Sequence, residues 1–226
     1  MIISHKHKFI FIAIPKTATH AIRFALRQYL GTDDEEQVLL FKESSLSNEK
    51  LKSIKHGHIT ALEARSALNP EIWGNYFKFS FVRNPYDRLA SFVQAFYSKS
   101  IPSQKYTTVH LKNSLLNPDP SRERWLMPQS KYLFDQSKNC LVDFIGRYEN
   151  LESDFHHVCK VLKLNAVELS IINSSNNGGT MEHINEETAE MIQEKYCNDF
   201  SLLSYCLLYT SPSPRDQRGS RMPSSA

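Results

Sequence analysis

The stretch Phe9-Ile10-Phe11-Ile12-Ala13-Ile14 is continuously apolar and rich in β-branched and aromatic side chains. A short run without polar alternation reads as a strand buried on both faces, and such strands belong to sheets with helices on either side. Pro15 stops the run, because proline has no N–H to give to a ladder. From Ala18 the period changes, and Ala21, Ile22, Ala25, Leu26 and Tyr29 fall on one helical stripe. Lys16, Thr17, Ala18 and Thr19 therefore sit in a tight strand-to-helix turn. Unpartnered N–H groups and the dipole make a helix start attractive to anions, and Lys16 adds a charge. The turn reads as a phosphate- or sulfate-binding loop. It lacks the glycines of G-x-x-x-x-G-K-[ST], so an ordinary exposed turn stays open as the alternative.

A second junction of the same kind follows. Tyr76 to Val82 reads as a strong strand, and Arg83-Asn84-Pro85 turns it into a helix, with Asn84 suited to the N-cap and Pro85 to the first helical position. Leu89, Phe92, Val93 and Phe96 form its buried stripe, while Arg88 and Ser91 fall on another face. An arginine at a strand mouth can clamp a phosphate bidentately. The bland alternative is a surface ion pair, Arg83 with Asp87 and Arg88 with some other acid, which is common and contributes little.

Between the junctions, Asp33-Asp34-Glu35-Glu36 reads as a solvated acidic turn, Val38 to Phe41 as a short strand, and Asn48 to Lys52 as a helical turn. Ile54 to Ile59 reads as a strand, and Thr60 caps a helix that Pro70 ends. The polar segment 98–129, with Pro102, Pro118 and Pro120, reads as a long excursion or lid, a usual place for acceptor recognition. Leu141 to Gly146 gives another strand, and helices follow over Glu149–Leu164 and Glu187–Tyr196. Strands alternating with helices predict a three-layer α/β domain over residues 1–206, with a central, mostly parallel sheet flanked by helices. Ligands of such sheets bind beyond the C-terminal strand ends, where Lys16 and Arg83 both fall.

Residues 207–226 lose the hydrophobic period and end in Ser-, Pro- and Arg-rich sequence, which reads as a non-native or disordered tail. Its three arginines and one aspartate take two units of the formal +3, leaving +1 for the rest. Nucleic-acid binding through overall charge has little support, so any anion site must be local. The longest apolar run is too short to span a bilayer, and no signal peptide is read at the start. Cys140, Cys159, Cys197 and Cys206 show no C-x-x-C pairing, which fits a reducing, cytoplasmic compartment.

His56-Gly57-His58 is the third constellation. Alternate residues of a strand share a face, so the two imidazoles could hold a metal, but no further ligand at suitable spacing is evident. A packed or surface histidine is the bland reading, and a general base taking a proton from a hydroxyl near neutral pH is the functional one.

Pro15-Lys16-Thr17-Ala18-Thr19, His56-Gly57-His58-Ile59-Thr60-Ala61, Arg83 to Ser91 and Phe144-Ile145-Gly146-Arg147-Tyr148-Glu149-Asn150-Leu151 occur in that order. Together they resemble the carbohydrate sulfotransferase family that includes the heparan-sulfate 2-O and chondroitin 4-O enzymes, over roughly Phe9 to Tyr205. His20 and Asn173-Ser174-Ser175 depart from that family's pattern. The resemblance implies a P-loop-like fold and a donor, 3′-phosphoadenosine 5′-phosphosulfate (PAPS), used without a metal. It implies that Lys16, Thr17, Ala18 and Thr19 cradle the 5′-phosphosulfate and that Arg83 and Ser91 bind the 3′-phosphate. Lys16 then offsets charge on the leaving phosphate, His58 deprotonates the acceptor hydroxyl, and His56 assists or orients it. The implied acceptor is a glycan. The resemblance also makes Arg147 a structural brace at the sheet edge. Two rivals stand beside it: a nucleotide or small-molecule kinase with Asp143 as the magnesium-holding acid, and a non-catalytic anion- or glycan-binding module.

Overall fold

The computed structural model describes residues 1–37, 46–54, 56–97, 107–165, 169 and 184–207. It opens with a hairpin: β1 (Ile2–Ser4) returns through residues 5–8 as β2 (Phe9–Ile12). The loop 13–18 then leads into α1 (Thr19–Arg27), and β3 (Glu35–Glu36) pairs back onto β1. Three short helices, α2 (Glu49–Ser53), α3 (Ala61–Ala67) and α4 (Pro70–Asn75), precede β4 (Phe77–Val82). After β4 come α5 (Pro85–Tyr97), α6 (Thr108–Leu116), α7 (Glu123–Leu126) and α8 (Ser130–Leu133). Last are β5 (Phe144–Arg147), α9 (Leu151–Val161), α10 (Glu186–Lys195) and α11 (Cys197–Leu202).

The strand order is β3-β1-β2-β4-β5. The pairings β2–β4 and β4–β5 are parallel, whereas β1–β2 and β1–β3 are antiparallel. The sheet is thus mixed rather than mostly parallel. The cause is local: residues 5–8 are far too few for the crossover a parallel neighbour needs, so β1 can only fold back.

The unbroken apolar run around β2 has its explanation in two cores. Phe9, Phe11 and Ala13 pack with Ile22, Ala25 and Leu26 of α1 and Phe155 and Val158 of α9. Ile10, Ile12 and Ile14 point the other way, onto Leu51, Ala61, Ala64, Tyr132 and Leu133. Helices therefore cover both sheet faces, as a fully apolar strand requires. Ile22 and Leu26 are completely buried, and each such side chain contributes about 1.5–3 kcal/mol of burial. A third cluster joins α5 to α6, α7, α10 and α11 through Leu89, Phe92, Leu111, Leu126, Ile192 and Phe200.

Several expectations need correction. Glu35 and Glu36 lie on the edge strand β3 rather than in a solvated turn, and Glu35 is buried, accepting from the Ser47 hydroxyl at 2.7 Å. Residues 56–59 are not a strand. The Thr60-capped helix α3 does end before Pro70, and Pro70 also begins α4 at its first turn. Within 98–129, residues 107–129 are structured, carrying α6, a 3-10 turn at Pro120–Arg122 and α7, and they bury Leu111, Leu126 and Gln129 among more exposed neighbours, so this part is anchored to the core. The expected strand at 38–41, residues 98–106, Asn173 to Ser175 and the tail beyond Leu207 lie outside the described residues. On β5, a Cβ at Gly146 would stand 2.4 Å from Phe81 Cε1, so only glycine lets the strand lie against that ring.

Candidate active site

The loop after β2 makes its turn without glycine. Lys16 (φ 69°) and Ala18 (φ 62°) both adopt the left-handed region, which costs a non-glycine residue about 1–3 kcal/mol. The buried Thr17 holds the bend by donating its hydroxyl to the Ile14 carbonyl at 3.0 Å. Ala18 is the N-cap of α1 and offers no side-chain acceptor, so the first-turn N–H groups of α1 are not consumed by a cap. Thr19, nearly fully buried, stands at the first helical position. Strained residues, open donors and a lysine thus share one short turn.

Arg83 ends β4 beside this loop. Its Nη1 lies 3.5 Å from the Lys16 carbonyl oxygen, and its guanidinium stacks on Tyr148 at 4.0 Å from the ring centroid. Gln129 fixes its backbone from both sides: Arg83 N donates to Oε1 at 2.8 Å, and Nε2 donates to the Arg83 carbonyl at 2.8 Å. Asp199 in turn accepts from Gln129 N at 2.8 Å and Ser130 N at 2.7 Å, all of these groups being buried. Asn84 Oδ1 accepts from Tyr86 N at 3.0 Å, capping α5 as its residue type predicts. The sheet register explains the meeting of the two junctions: β2 and β4 run parallel with Ile12 level with Ser80, so both chains leave at the same edge. Ser91 is half-buried on α5, and its hydroxyl has no partner among the described residues.

His58 comes to the same edge by a different route. It is 4% exposed, and its Nδ1 lies 2.7 Å from the carbonyl oxygen of Ala13, on the chain that feeds the loop. A carbonyl only accepts, so Nδ1 carries the hydrogen and Nε2 keeps the lone pair. The surrounding backbone is held by side chains instead of a ladder. The carbonyls of His56, Gly57 and His58 accept from Gln37 Nε2, Arg23 Nη2 and Arg124 Nη1 respectively, the last at 3.0 Å. Glu63 anchors Arg124 and also closes the Thr60 capping box of α3. His56 is half-buried, and its Nδ1 accepts from His58 N at 3.3 Å. The two imidazoles lie 5.5 Å apart.

Burial, followed by the neighbouring Arg83, brings the Lys16 ammonium down to about 8. Burial pushes His58 well below its usual 6.5, only partly countered by the bond to Ala13. His56 is lowered by burial and then by Arg124. Both imidazoles are therefore neutral at pH 7 and able to accept a proton, whereas Lys16 remains mostly charged.

Two arginines were not legible as part of this assembly. Arg88 is buried, and instead of meeting a surface acid it binds three carbonyls: Pro15 at 3.2 Å, Trp125 at 2.9 Å and Met127 at 2.8 Å. Arg23 is buried within α1 and reaches Gln37, Gly57 and Glu36. Each lies on the apolar side of its helix, Arg23 next to Ile22 and Arg88 four residues before Phe92. A charge in that position is the available signal. Arg147 donates to the Leu203 carbonyl at 2.6 Å and stacks on Tyr205, tying the sheet edge to the end of α11.

Asp143 does not meet the loop. It pairs with Lys78 at 2.9 Å, level with the start of β4, while the loop and Arg83 lie beyond the strand's other end. The span from residue 78 to residue 82 is about 13 Å at ~3.3 Å per residue, so the kinase reading loses its magnesium-holding acid. Among the described residues no group of three or more His, Cys, Asp or Glu side chains is placed to hold a metal ion, and no helix is long and apolar enough to cross a membrane.

A lysine loop and a buried arginine at adjacent parallel strand ends, with a neutral imidazole anchored beside them, define an α/β protein with a cationic strand-end site. The chain belongs to the sulfotransferase family, whose model matches residues 1–206. It is similar to carbohydrate sulfotransferase 14 of Danio rerio, at 27% identity over 190 aligned positions, the match covering 70% of this chain and 47% of the relative. The chain thus spans about half the length of that curated relative.

Proposed function

We propose that this protein transfers a sulfuryl group from PAPS to a carbohydrate hydroxyl, by in-line displacement with His58 as the base. The observation that carries the reading is the anchoring of His58 Nδ1 on Ala13, three residues before Lys16. It fixes the tautomer that leaves the Nε2 lone pair free and, through Nδ1, ties the ring to the chain that enters the loop.

In this reading His58 Nε2 removes the acceptor proton as the acceptor oxygen bonds to sulfur. Lys16 and the open N–H groups at the start of α1 receive the charge that develops on the leaving phosphate oxygen as the sulfur–oxygen bond to it breaks. Arg83, with Ser91 further along α5, takes the 3′-phosphate; the Gln129 clamp fixes its backbone and the stacking on Tyr148 orients its guanidinium. The family membership and the carbohydrate sulfotransferase relative support both the reaction type and a glycan acceptor.

Ligand discrimination tests the donor assignment. Isothermal titration should show tight binding of 3′,5′-diphosphoadenosine (PAP), with 5′-AMP at least about tenfold weaker for want of one charge-assisted contact. Equal affinities for PAP, 5′-AMP and Mg-ATP would refute it.

A further inference from the structure

An indole that the reaction leaves unused stands beside the imidazole pair. Trp125, on α7, lies edge-on to His58 with ring centroids 5.0 Å apart and to His56 at 6.2 Å. Phe96 of α5 closes its far side at 5.4 Å, and Arg122 covers Phe96 at 4.6 Å. Trp125 is only half-buried, although its neighbour Leu126 is in the core. A large, partly exposed aromatic residue therefore stands immediately beside the group that would take the acceptor's proton.

The backbone around it is pinned to both halves of the site. Arg88 holds the carbonyls of Trp125 and Met127 while its Nε binds Pro15, directly before Lys16. Arg124, directly before Trp125, binds the His58 carbonyl and Glu63, and its own carbonyl accepts from the Tyr132 hydroxyl. The indole is thus fixed relative to the loop and to the base at once. Such rigidity is wasted on a space-filling side chain but is what a positioning wall requires.

We propose that Trp125 is the platform against which the acceptor sugar ring lies, and that it is the specificity-determining residue for a pyranose acceptor. The inference rests on the sulfuryl-transfer reading above and deepens it. A hydroxyl that reaches His58 Nε2 brings its carbon skeleton alongside the adjoining wall. The C–H face of a pyranose is apolar and slightly electropositive, which suits the electron-rich face of an indole. A thin alkyl alcohol covers little of that face, and a pyranose covers most of it. Trp125 bears on acceptor binding alone, since donor contacts run through Lys16 and Arg83.

The test compares wild type with Trp125→Phe and Trp125→Ala, using unsulfated chondroitin, dermatan and heparosan hexasaccharides as acceptors. Trp125→Ala should raise the acceptor KM about five- to tenfold, with PAP affinity within about twofold of wild type and Trp125→Phe in between. An unchanged KM with only kcat reduced would overturn the proposal, leaving Trp125 as a structural prop for His58. Trp73 is the protein's other tryptophan, so Trp73→Phe leaves Trp125 as the lone emitter. Its fluorescence should respond saturably to hexasaccharide in the presence of PAP, and a flat response at concentrations above KM would also overturn the platform. Transfer to a tyrosine peptide or an alkyl alcohol but to no hexasaccharide would do the same. No transfer to any acceptor would instead refute the sulfotransferase reading, so the two failures remain distinct.

Discussion

Binding of PAP should draw a proton onto Lys16, and the size of that uptake follows from the site's electrostatics. Without ligand, burial and Arg83 hold the ammonium at about 8, against 10.5 for an ordinary lysine. A phosphate beside it reverses both effects and restores a pKa near the usual value. The uptake on binding then equals the neutral fraction of Lys16 before binding: about 0.1 proton at pH 7, 0.5 at pH 8 and 0.75 at pH 8.5. The last pH is the cleanest, because phosphomonoesters titrate near 6 and His58 is already neutral. Calorimetry of PAP binding in two buffers of different ionisation enthalpy measures the number directly, and Lys16→Met should abolish it. The same shift has a stability consequence. Between pH 8 and 10.5 the unfolded chain holds more protons than the folded one, so this group's contribution improves as pH rises through that window. Below pH 8 the whole penalty persists, roughly 3 kcal/mol, trimmed by solvent at the half-buried side chain to about 1–3 kcal/mol. Lys16→Met should therefore raise the melting temperature of the ligand-free protein at pH 7 while weakening PAP. An uptake below about 0.2 proton at pH 8.5, or a destabilised Lys16→Met, would show that Lys16 does not face the bound phosphate.

Other substitutions separate the roles of the neighbouring residues. His58→Ala should lower transfer at least about a hundredfold, the usual scale for a general base, with PAP affinity nearly intact; parallel loss of both would remove His58 from the role of base. Arg83→Ala should weaken PAP far more than 5′-AMP, and equal losses would contradict the 3′-phosphate assignment. Gly146→Ala should destabilise by about 1–3 kcal/mol in chemical denaturation, because its Cβ meets Phe81 at 2.4 Å; an unchanged midpoint would mean that β5 shifts freely. Removing residues 207–226 should leave the melting temperature and transfer unchanged, and a large drop in either would make the tail part of the domain.

The parts of the fold written in local period were legible. The run before Pro15 and the stripe after Ala18 declare β2, the loop and α1, and Asn84-Pro85 declares the start of α5. β1 was missed because Ile2-Ile3-Ser4 is too short to show a period, and with it went the antiparallel half of the sheet. His56 to Ile59 looks like a strand because strand residues and side-chain-tethered residues have the same composition. What sets them apart is distant: Gln37, Arg23 and Arg124 take the three carbonyls from 19, 34 and 66 residues away. Arg88 showed only as a charge on the apolar side of its helix, and the distant Trp125 carbonyl that it binds leaves no trace in spacing. Lys16 and Arg83 were therefore visible as charges at strand ends, and the residues that hold them in place were not.

Transfer of labelled sulfate from PAPS to unsulfated chondroitin, dermatan and heparosan chains, run in EDTA beside the His58→Ala protein, bears most directly on the whole account. Label should appear in at least one polysaccharide with wild type and essentially none with the variant. Labelling that is equal in the two proteins, or dependent on added magnesium, would contradict it.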